Sequence, residues 1–149
     1  GFRGQELVIL EEEFEKVSDK FVKMSDDGTW GTKGLVTNAL KNLIESGETY
    51  DEVIAIGPVI MMKFVSALTK EYGIKTIVSM NPIMVDGTGM CGGCRLTVGG
   101  ETKFACVDGP DFDGHLVDFD EAMDRGMMYR PFEQKKREET CRLYTKEVQ

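Results

Sequence analysis

Apolar and polar positions in the first third of the chain predict two helices and a short strand. Apolar side chains fall three or four positions apart over residues 6–17, which is helical spacing, and they alternate with polar ones over residues 20–24, which favours a strand. The clearest apolar stripe covers residues 35–44 and predicts a second helix that ends at Gly47. Residues 1–4 are typical of the end of a strand.

Two apolar runs flank a third predicted helix in the middle of the chain. Residues 53–56 are continuously apolar and residues 76–80 are mostly so, as expected of buried parallel strands. Gly57-Pro58 precedes a helical pattern over residues 59–72, with proline in the first turn. Because strands and helices alternate, the pattern predicts an α/β fold built on a parallel sheet.

The character of the chain changes after Pro82, where glycine becomes frequent. Residues 95–98 and 102–106 flank Gly99-Gly100 and predict a β-hairpin. Residues 107–120 are rich in aspartate and are predicted to form a loop. A charged segment over residues 133–145 is predicted to form a terminal helix.

Composition narrows the class of protein without identifying it. A chain of 149 residues with 41% hydrophobic side chains suits one compact domain, or a domain with a small appendage. The formal net charge of −8 argues against a nucleic acid or an anionic membrane as partner. Apolar runs stay well short of the roughly 20 residues that a membrane span needs, so no span is predicted.

Cysteine usage points to metal binding or redox chemistry. Cys91, Cys94 and Cys106 lie close together, whereas Cys141 lies on the predicted terminal helix and is expected to be a spare thiol. A secreted disulfide scaffold would spread its cysteines more evenly. Clustered cysteines in a reducing compartment more often bind metal, which favours a cytoplasmic protein.

The stretch "DGTGMCGGC", residues 86–94, carries the strongest chemical signal. Its spacing is D-x4-C-x2-C, with Cys106 further along, whereas the plant-type two-iron pattern is C-x4-C-x2-C with a distant fourth cysteine. Glycine lets such a loop wrap tightly around a cluster because it tolerates positive φ. The alternative from the residues alone is a zinc site of three thiolates and one carboxylate. The four glycines and the x4 gap favour the iron–sulfur interpretation.

A family resemblance begins at these residues. "NPIMVDGTGMCGGCRLTVGG" with "FACVDGPDFDGH" resembles the C-terminal region of electron-transfer subunits in the ferredoxin–NADP reductase-like superfamily. That family includes the dihydroorotate dehydrogenase electron-transfer subunit and, more closely similar, the small subunit of NADH-dependent ferredoxin:NADP oxidoreductase, in which an aspartate replaces the first cysteine ligand. The resemblance implies a [2Fe–2S] cluster held by Asp86, Cys91, Cys94 and Cys106.

The resemblance continues upstream into a nucleotide-binding region. "SDDGTWGTKGLVT", residues 25–37, is similar to the loop beside a bound pyridine nucleotide, and "IGPVIMMKFV", residues 56–65, to the motif beneath the nicotinamide. Without the family, Gly-Pro before a helix is usually only a turn, and methionines at helical spacing are more often core. The cofactor-binding residues that the resemblance implies are Arg3, Asp26, Asp27, Gly28, Thr29, Gly57, Pro58 and Met61.

The resemblance also implies an organisation and a function. It predicts a truncated parallel-sheet NAD(P)-binding domain of ferredoxin reductase type over residues 1–82, a small [2Fe–2S] module with a hairpin over 83–125, and a charged helical tail over 126–149. The family's flavin-binding barrel is not found, so the sequence is expected to be part of a longer subunit. NAD(P)H, FAD and the cluster would then pass electrons to a larger catalytic flavoprotein subunit. The alternative is a non-catalytic, zinc-stabilised binding module.

Overall fold

The computed structural model describes residues 1–140, in two compact units. Unit 1 is Gly1–Asp51, and unit 2 begins at Glu52. No helix in the described part of the chain is long and apolar enough to cross a membrane. The boundaries predicted near residues 82 and 125 do not coincide with this division and stay predictions.

Unit 1 contains two short helices, one longer helix and a minimal parallel sheet. Its elements are a 3-10 helix at Gln5–Leu7, α1 at Glu11–Val17, β1 at Met24–Ser25, β2 at Thr32–Lys33 and α2 at Val36–Glu45. β1 pairs with β2 in parallel, and Phe2 forms a parallel bridge to Ser25. The bridge at Phe2 agrees with the prediction that residues 1–4 are the end of a strand. The helix predicted over 35–44 is confirmed, with Gly47 beyond its end in a left-handed conformation, φ +97°.

Two predictions for unit 1 are wrong in part. The helix predicted over residues 6–17 is interrupted at Leu10, whose φ of 53° is left-handed, so only its second half is an α-helix. The apolar stripe there buries little, since Leu10 is 55% exposed and α1 contains no buried residue. Packing therefore does not enforce one continuous helix. The strand predicted over 20–24 pairs only from Met24 onward.

Trp30 is the buried centre of unit 1. Its ring makes edge contacts with Phe2 and Phe21, at centroid distances of 5.5 and 6.2 Å. Its indole Nε1 donates to Glu11 Oε2 over 3.0 Å, and Lys23 Nζ donates to Glu11 Oε1 over 2.7 Å. One carboxylate of α1 therefore binds both Lys23, just before β1, and Trp30, in the loop between β1 and β2.

The Glu11 carboxylate is expected to stabilise unit 1 in a pH-dependent way. Its hydrogen bonds from Lys23 first, and from Trp30 second, lower the pKa of the Glu11 carboxyl. A lowered folded-state pKa gives stability that is present above the ordinary glutamate pKa and is lost as the pH falls through the lowered value. We therefore expect Glu11→Gln to be less stable than wild type at pH 7 and to differ less as the solution becomes acidic.

Urea titrations followed by the fluorescence of Trp30 measure this difference. Glu12→Gln is the matched control, because Glu12 lies on the same helix turn, is highly exposed and makes only a 3.8 Å ion pair with Lys16. Surface substitutions of that kind change stability little. A Glu11→Gln effect that is the same at neutral and acidic pH would contradict the assignment.

Unit 2 alternates strands and helices before the hairpin and ends in two helices. Its elements are β3 at Glu52–Ile56, α3 at Val59–Glu71, β4 at Lys75–Ser79, β5 at Arg95–Val98, β6 at Glu101–Phe104, β7 at Asp111–Asp113, α4 at Phe119–Met127 and α5 at Arg130–Thr140. The predicted strands at 53–56 and 76–80, the helix at 59–72 and the hairpin are confirmed. The mixed α/β class is confirmed as well.

The sheet of unit 2 has the order β3-β4-β7 and is parallel only in part. β3 and β4 are parallel, with Ile54 opposite Ile77, whereas β4 and β7 are antiparallel, with Val78 opposite Phe112. One face is packed, through Ala55, Val78 and the buried side of α3. The prediction that β3 is fully buried is wrong on the other face, because Ile54 and Ile56 are 64% and 71% exposed.

The loop predicted over residues 107–120 is also wrong in part. Residues Asp111–Asp113 form β7, in which the aspartates are exposed and Phe112 is buried. Asp118 starts α4, because its Oδ1 accepts the N–H of Glu121 over 2.9 Å. The terminal helix begins at Arg130 rather than at residue 133. Its predicted continuation to 145, and Cys141, lie outside the described residues.

Hydrogen bonds fix the hairpin against the segment that follows β7. The N–H of Gly99 donates to the carbonyl of Leu116 over 2.8 Å, and the N–H of Asp118 donates to the carbonyl of Thr97 over 2.9 Å. Deeper in the unit, Thr76 Oγ1 donates to Thr69 Oγ1 over 2.6 Å, and Thr69 Oγ1 lies 3.1 Å from His115 Nε2. Hydrogen bonds therefore hold both β4, where the next loop begins, and the hairpin, where that loop ends.

Candidate metal centre

The hairpin brings two of the three predicted cysteine ligands together. Cys94 immediately precedes β5 and Cys106 follows β6, so the antiparallel pairing returns the chain to its starting point. The N–H of Cys106 lies 3.4 Å from Cys94 Sγ, and the N–H of Ala105 donates to the carbonyl of Cys94. Cys94 is buried, Cys106 is half-buried, and both are free thiols.

Asp86 closes the glycine-rich loop from its other end. Its Oδ1 accepts the N–H of Thr88 over 2.8 Å, and its Oδ2 accepts the N–H of Cys91 over 3.0 Å. These hydrogen bonds, the one from Thr88 first, lower the pKa of the Asp86 carboxyl. The aspartate is thus an ionised carboxylate at neutral pH, held within reach of the backbone of Cys91.

Glycine is required where the loop turns back on itself. Gly87, Gly89 and Gly92 have φ values of +76°, +82° and +67°, in the left-handed region that other residues rarely adopt. The turn between the first two cysteines directs the N–H of Gly93 toward Cys91 Sγ, at 3.4 Å. Backbone N–H groups that face sulfur atoms are what an iron–sulfur site uses to stabilise its negative charge.

The thiol of Cys106 is held in its neutral form. Its hydrogen bond with the Cys94 thiol, and then burial, raise the pKa of Cys106, while the N–H of Gly89 acts in the opposite direction. A metal binds the thiolate rather than the thiol. Loading of a metal would therefore release a proton from Cys106.

The donor set and the backbone fit an iron–sulfur group, but the side chains do not converge into one cage. Within residues 1–140, no three His, Cys, Asp or Glu side chains form a group that could hold a metal ion. What fits is the chemistry: three free thiols and an ionised carboxylate on one loop and one hairpin, with N–H groups directed at two of the sulfurs. The ligand set of Asp86, Cys91, Cys94 and Cys106 therefore stays a prediction.

Two arginines that the sequence analysis did not identify contact the same loop. Arg95 Nη1 donates to the carbonyl of Gly92 over 3.2 Å, and Arg125 Nη2 reaches the carbonyl of Gly93 at 3.4 Å. Arg95 follows Cys94 directly, which is a signal that was available in the sequence. Arg125 lies on α4, a helix that was not predicted, so its contact with the loop could not be predicted from the sequence. Both side chains line a cavity of about 670 Å³ between the loop and the last two helices.

The predicted nucleotide residues of unit 1 form one compact loop. The N–H of Asp27 donates to the carbonyl of Arg3 over 3.2 Å. Asp27 Oδ1 accepts from both the N–H and the hydroxyl of Thr29, over 2.8 and 2.7 Å, which lowers the pKa of the Asp27 carboxyl. Gly28, between them, has a φ of +84°. Asp26 is tied to the first strand end through its N–H, which donates to the carbonyl of Phe2.

The predicted nucleotide residues of unit 2 lie at the carboxyl end of β3. Gly57 has a φ of +156°, and Pro58 is the residue that precedes the first turn of α3. A Cβ on Gly57 would lie 3.0 Å from Met61 Cε, so the glycine lets the methionine approach the backbone. This end of a strand followed by a helix N-terminus is where α/β sheets bind ligands. A nucleotide site that combines the residues of both units stays a prediction.

Comparison with known proteins assigns the loop to a described domain. Residues 81–118 match the family described as the iron-sulfur cluster binding domain of dihydroorotate dehydrogenase B. This range contains all four predicted metal ligands. It excludes both groups of predicted nucleotide residues, for which the match gives no support.

Longer matches cover most of the chain. An uncharacterized protein of Clostridium beijerinckii is 57% identical over 91% of this chain and 46% of its own length. A dihydroorotate dehydrogenase B (NAD(+)) electron transfer subunit homolog of Thermotoga maritima is 49% identical over 87% of this chain and 45% of its own length. The chain therefore spans about half the length of the curated relatives that it matches.

A solved structure supports the same relationship. A chain of the NADH-dependent reduced ferredoxin-NADP oxidoreductase, described in work on flavin-based electron bifurcation, superposes with a TM-score of 0.81 at 46% identity. The match covers 94% of this chain and 50% of that chain. The mixed α/β architecture is thus shared with a known redox protein.

Proposed function

From its membership of the family of dihydroorotate dehydrogenase B-type electron-transfer subunits, we propose that this chain serves in electron transfer within a flavin- and iron–sulfur-dependent oxidoreductase. The observation that carries the proposal is the match of residues 81–118 to the iron–sulfur binding domain. In this range one N–H of the loop and one that follows the hairpin face cysteine sulfurs. The proposed electron source is NAD(P)H, with FAD as intermediate carrier.

The metal ligands in this proposal are Asp86, Cys91, Cys94 and Cys106. A [2Fe–2S] group, when bound, supplies one-electron transfer at the loop. The chain's own residues shape that site: the glycines allow the tight wrap, and the hairpin places Cys106 beside Cys94. Backbone N–H groups at the sulfurs would set the reduction potential.

The proposed nucleotide contacts come from the two motifs described above. The residues are Arg3, Asp26, Asp27, Gly28, Thr29, Gly57, Pro58 and Met61. The Gly57-Pro58 step lies between the end of β3 and the start of α3, and this position supports a nucleotide contact because α/β sheets bind ligands at the carboxyl ends of their strands. The Asp27 carboxylate, next to Gly28, would suit the hydroxyl groups of a ribose rather than a phosphate.

The proposed partner is a larger catalytic flavoprotein subunit. Exposed apolar side chains flank the metal loop: Val85 is 76% exposed, Met90 is 88% exposed, and Val107 packs near Gly89 with half of its surface free. Three exposed apolar side chains beside one loop support a protein–protein contact surface there. An electron carrier close to such a surface is well placed to serve a partner.

Anaerobic reconstitution of the chain with iron and sulfide tests the proposal. We expect visible absorption of a two-iron centre and a paramagnetic signal after reduction with dithionite. A colourless protein that holds one zinc per chain, and no signal after reconstitution, would contradict the proposal and favour the zinc-stabilised binding module.

Asp86→Cys tests the oxygen ligand. A carboxylate oxygen is a harder donor than a thiolate and favours ferric iron, so replacing it with sulfur is expected to raise the midpoint potential. Asp124→Cys is the matched control, because it makes the same substitution at an exposed residue of α4 that is outside the predicted ligand set. An Asp86→Cys centre with the wild-type potential and spectrum would remove Asp86 from the ligand set.

A further inference from the structure

We propose that Arg95 and Arg125 are positioning residues of the metal loop, which hold the carbonyls of Gly92 and Gly93 outward so that the backbone N–H between them faces sulfur. The inference rests on the proposed function only for its effect on a bound cluster. The contacts themselves belong to the chain as it stands.

The two arginines lie on different elements and donate hydrogen bonds to adjacent peptide carbonyls of the loop. Arg95 is the first residue of β5, and the carbonyl of Gly92 accepts both its Nη1, at 3.2 Å, and its backbone N–H, at 3.3 Å. Arg125 reaches the carbonyl of Gly93 from α4, at 3.4 Å. Guanidinium groups suit this task because they stay charged and present a planar fork of donors.

One peptide bond connects the arginine contact to the sulfur contact. The carbonyl of Gly92 and the N–H of Gly93 belong to the same planar trans peptide, so they point in opposite directions. A donor from Arg95 that fixes the carbonyl on one side therefore fixes the N–H on the other, where it lies 3.4 Å from Cys91 Sγ. The loop glycines cannot supply this control, because glycine is the least restricted residue.

The helix that carries Arg125, α4, is fixed to its neighbours by hydrogen bonds and one ion pair. Asp118 caps α4, and the Oε2 of Glu121 accepts the N–H of Thr97 on β5 over 3.0 Å. Asp120 pairs with Lys63 of α3 at 2.6 Å. α4 is thus anchored to the hairpin and to α3, and the guanidinium of Arg125 approaches the loop from a fixed base.

Hydrogen exchange of the metal-free chain tests the positioning directly. In Arg95→Gln, which removes a donor to the same peptide, we expect the amide of Gly93 to exchange faster by roughly two- to tenfold, the range that loss of one hydrogen bond gives. In Arg125→Gln, which removes a donor to the next peptide, we expect a smaller increase at the same amide. Lys70→Gln is the matched control: it also removes one positive charge, but it lies eleven residues beyond Val59 along α3, about 16 Å from the end of the helix that lines the cavity.

The loaded protein gives an independent readout. Fewer N–H groups directed at sulfur, and one positive charge less, are expected to lower the midpoint potential of the centre in both arginine variants but not in Lys70→Gln. Exchange at Gly93 and a potential that both match wild type in Arg95→Gln and Arg125→Gln would overturn the proposal. Circular dichroism checks folding, and Arg95→Gln decides the question if Arg125→Gln unfolds, because Arg95 is exposed.

Failure of the proposed function is distinguishable from failure of this inference. If wild-type protein takes up no iron, the proposed function fails while hydrogen exchange at Gly93 still decides the role of the arginines. If iron is bound but the arginine variants behave as wild type in both measurements, only the positioning role is rejected.

Discussion

Replacing Cys94 with serine is expected to abolish iron binding by the loop between β4 and β5. Cys94 is only 2% exposed, and its sulfur receives the N–H of Cys106. Serine keeps the size of the side chain but does not form the thiolate that iron prefers. We expect iron retained after desalting to fall by more than about tenfold, because even the loss of a ligand's supporting partner costs 10–100-fold in affinity.

Iron and sulfide analysis of the reconstituted protein measures this effect. Cys141→Ser is the matched control, since Cys141 is predicted to be a spare thiol and its replacement should leave iron content unchanged. A Cys94→Ser protein with wild-type iron content and absorption would show that the predicted ligand set is wrong. A loss of iron in Cys141→Ser would instead add a cysteine to the site.

A comparably large effect on stability is expected from Gly31→Ala in unit 1. Gly31 has a φ of +66°, and a Cβ there would collide with the backbone carbonyl and the Cβ of Lys23. That carbonyl accepts the N–H of Thr32, at the start of the β1–β2 pairing. Because backbone cannot move aside as a side chain can, we expect a loss of more than about 3 kcal/mol in the free energy of unfolding.

Gly47→Ala separates the two parts of that cost. Gly47 is also left-handed, with a φ of +97°, but a Cβ there would meet nothing within 4 Å. It should therefore lose only about 1 kcal/mol, the cost of the left-handed backbone. Urea unfolding followed by the fluorescence of Trp30 compares the two variants, and equal losses would refute the steric explanation.

Local patterns in the sequence were sufficient to predict β3, α3, β4 and the hairpin of unit 2. The apolar runs at 53–56 and 76–80, separated by one helix, specify β3, α3 and β4, because the helix carries the chain back to the end of the sheet where the first strand began, so that the two strands run parallel. Gly99-Gly100 specified the hairpin, since both glycines have positive φ in a two-residue turn. Each of these elements is determined by residues that are close together in the sequence.

Features that depend on distant packing were missed. The apolar sequence of β3 does not tell whether a second layer covers Ile54 and Ile56, and here they are exposed. β7 exists because Phe112 fills a place beside Val78, a contact across more than thirty residues that the surrounding aspartates conceal. The break at Leu10 has the same origin, because the apolar stripe around it finds little to pack against.

In the candidate site, too, the local features could be predicted from the sequence and the long-range contacts could not. The positions of Asp86 and the cysteines were readable because ligands on a loop must follow one another at set intervals. The arginine contacts to Gly92 and Gly93 were not, since one of them depends on where α4 lies. A sequence motif therefore predicts the residues that bind a group. The residues that orient those ligands can lie far away in the sequence, and they become visible only in the fold.

The contacts from Thr76 through Thr69 to His115 couple hydroxyl orientation in α3 to the state of an imidazole ring. Each hydroxyl has a single hydrogen to give. Thr76 Oγ1 lies within hydrogen-bonding distance of Thr69 Oγ1, at 2.6 Å, and of the carbonyl of Ile74, at 3.1 Å. Thr69 Oγ1 lies 3.0 Å from the carbonyl of Val65, one helical turn back, and 3.1 Å from His115 Nε2. A ring that carries its hydrogen on Nε2 donates to Thr69 and leaves the Thr69 hydrogen to the carbonyl of Val65, so the tautomer of the chain's single histidine and the acceptor that Thr69 uses are linked.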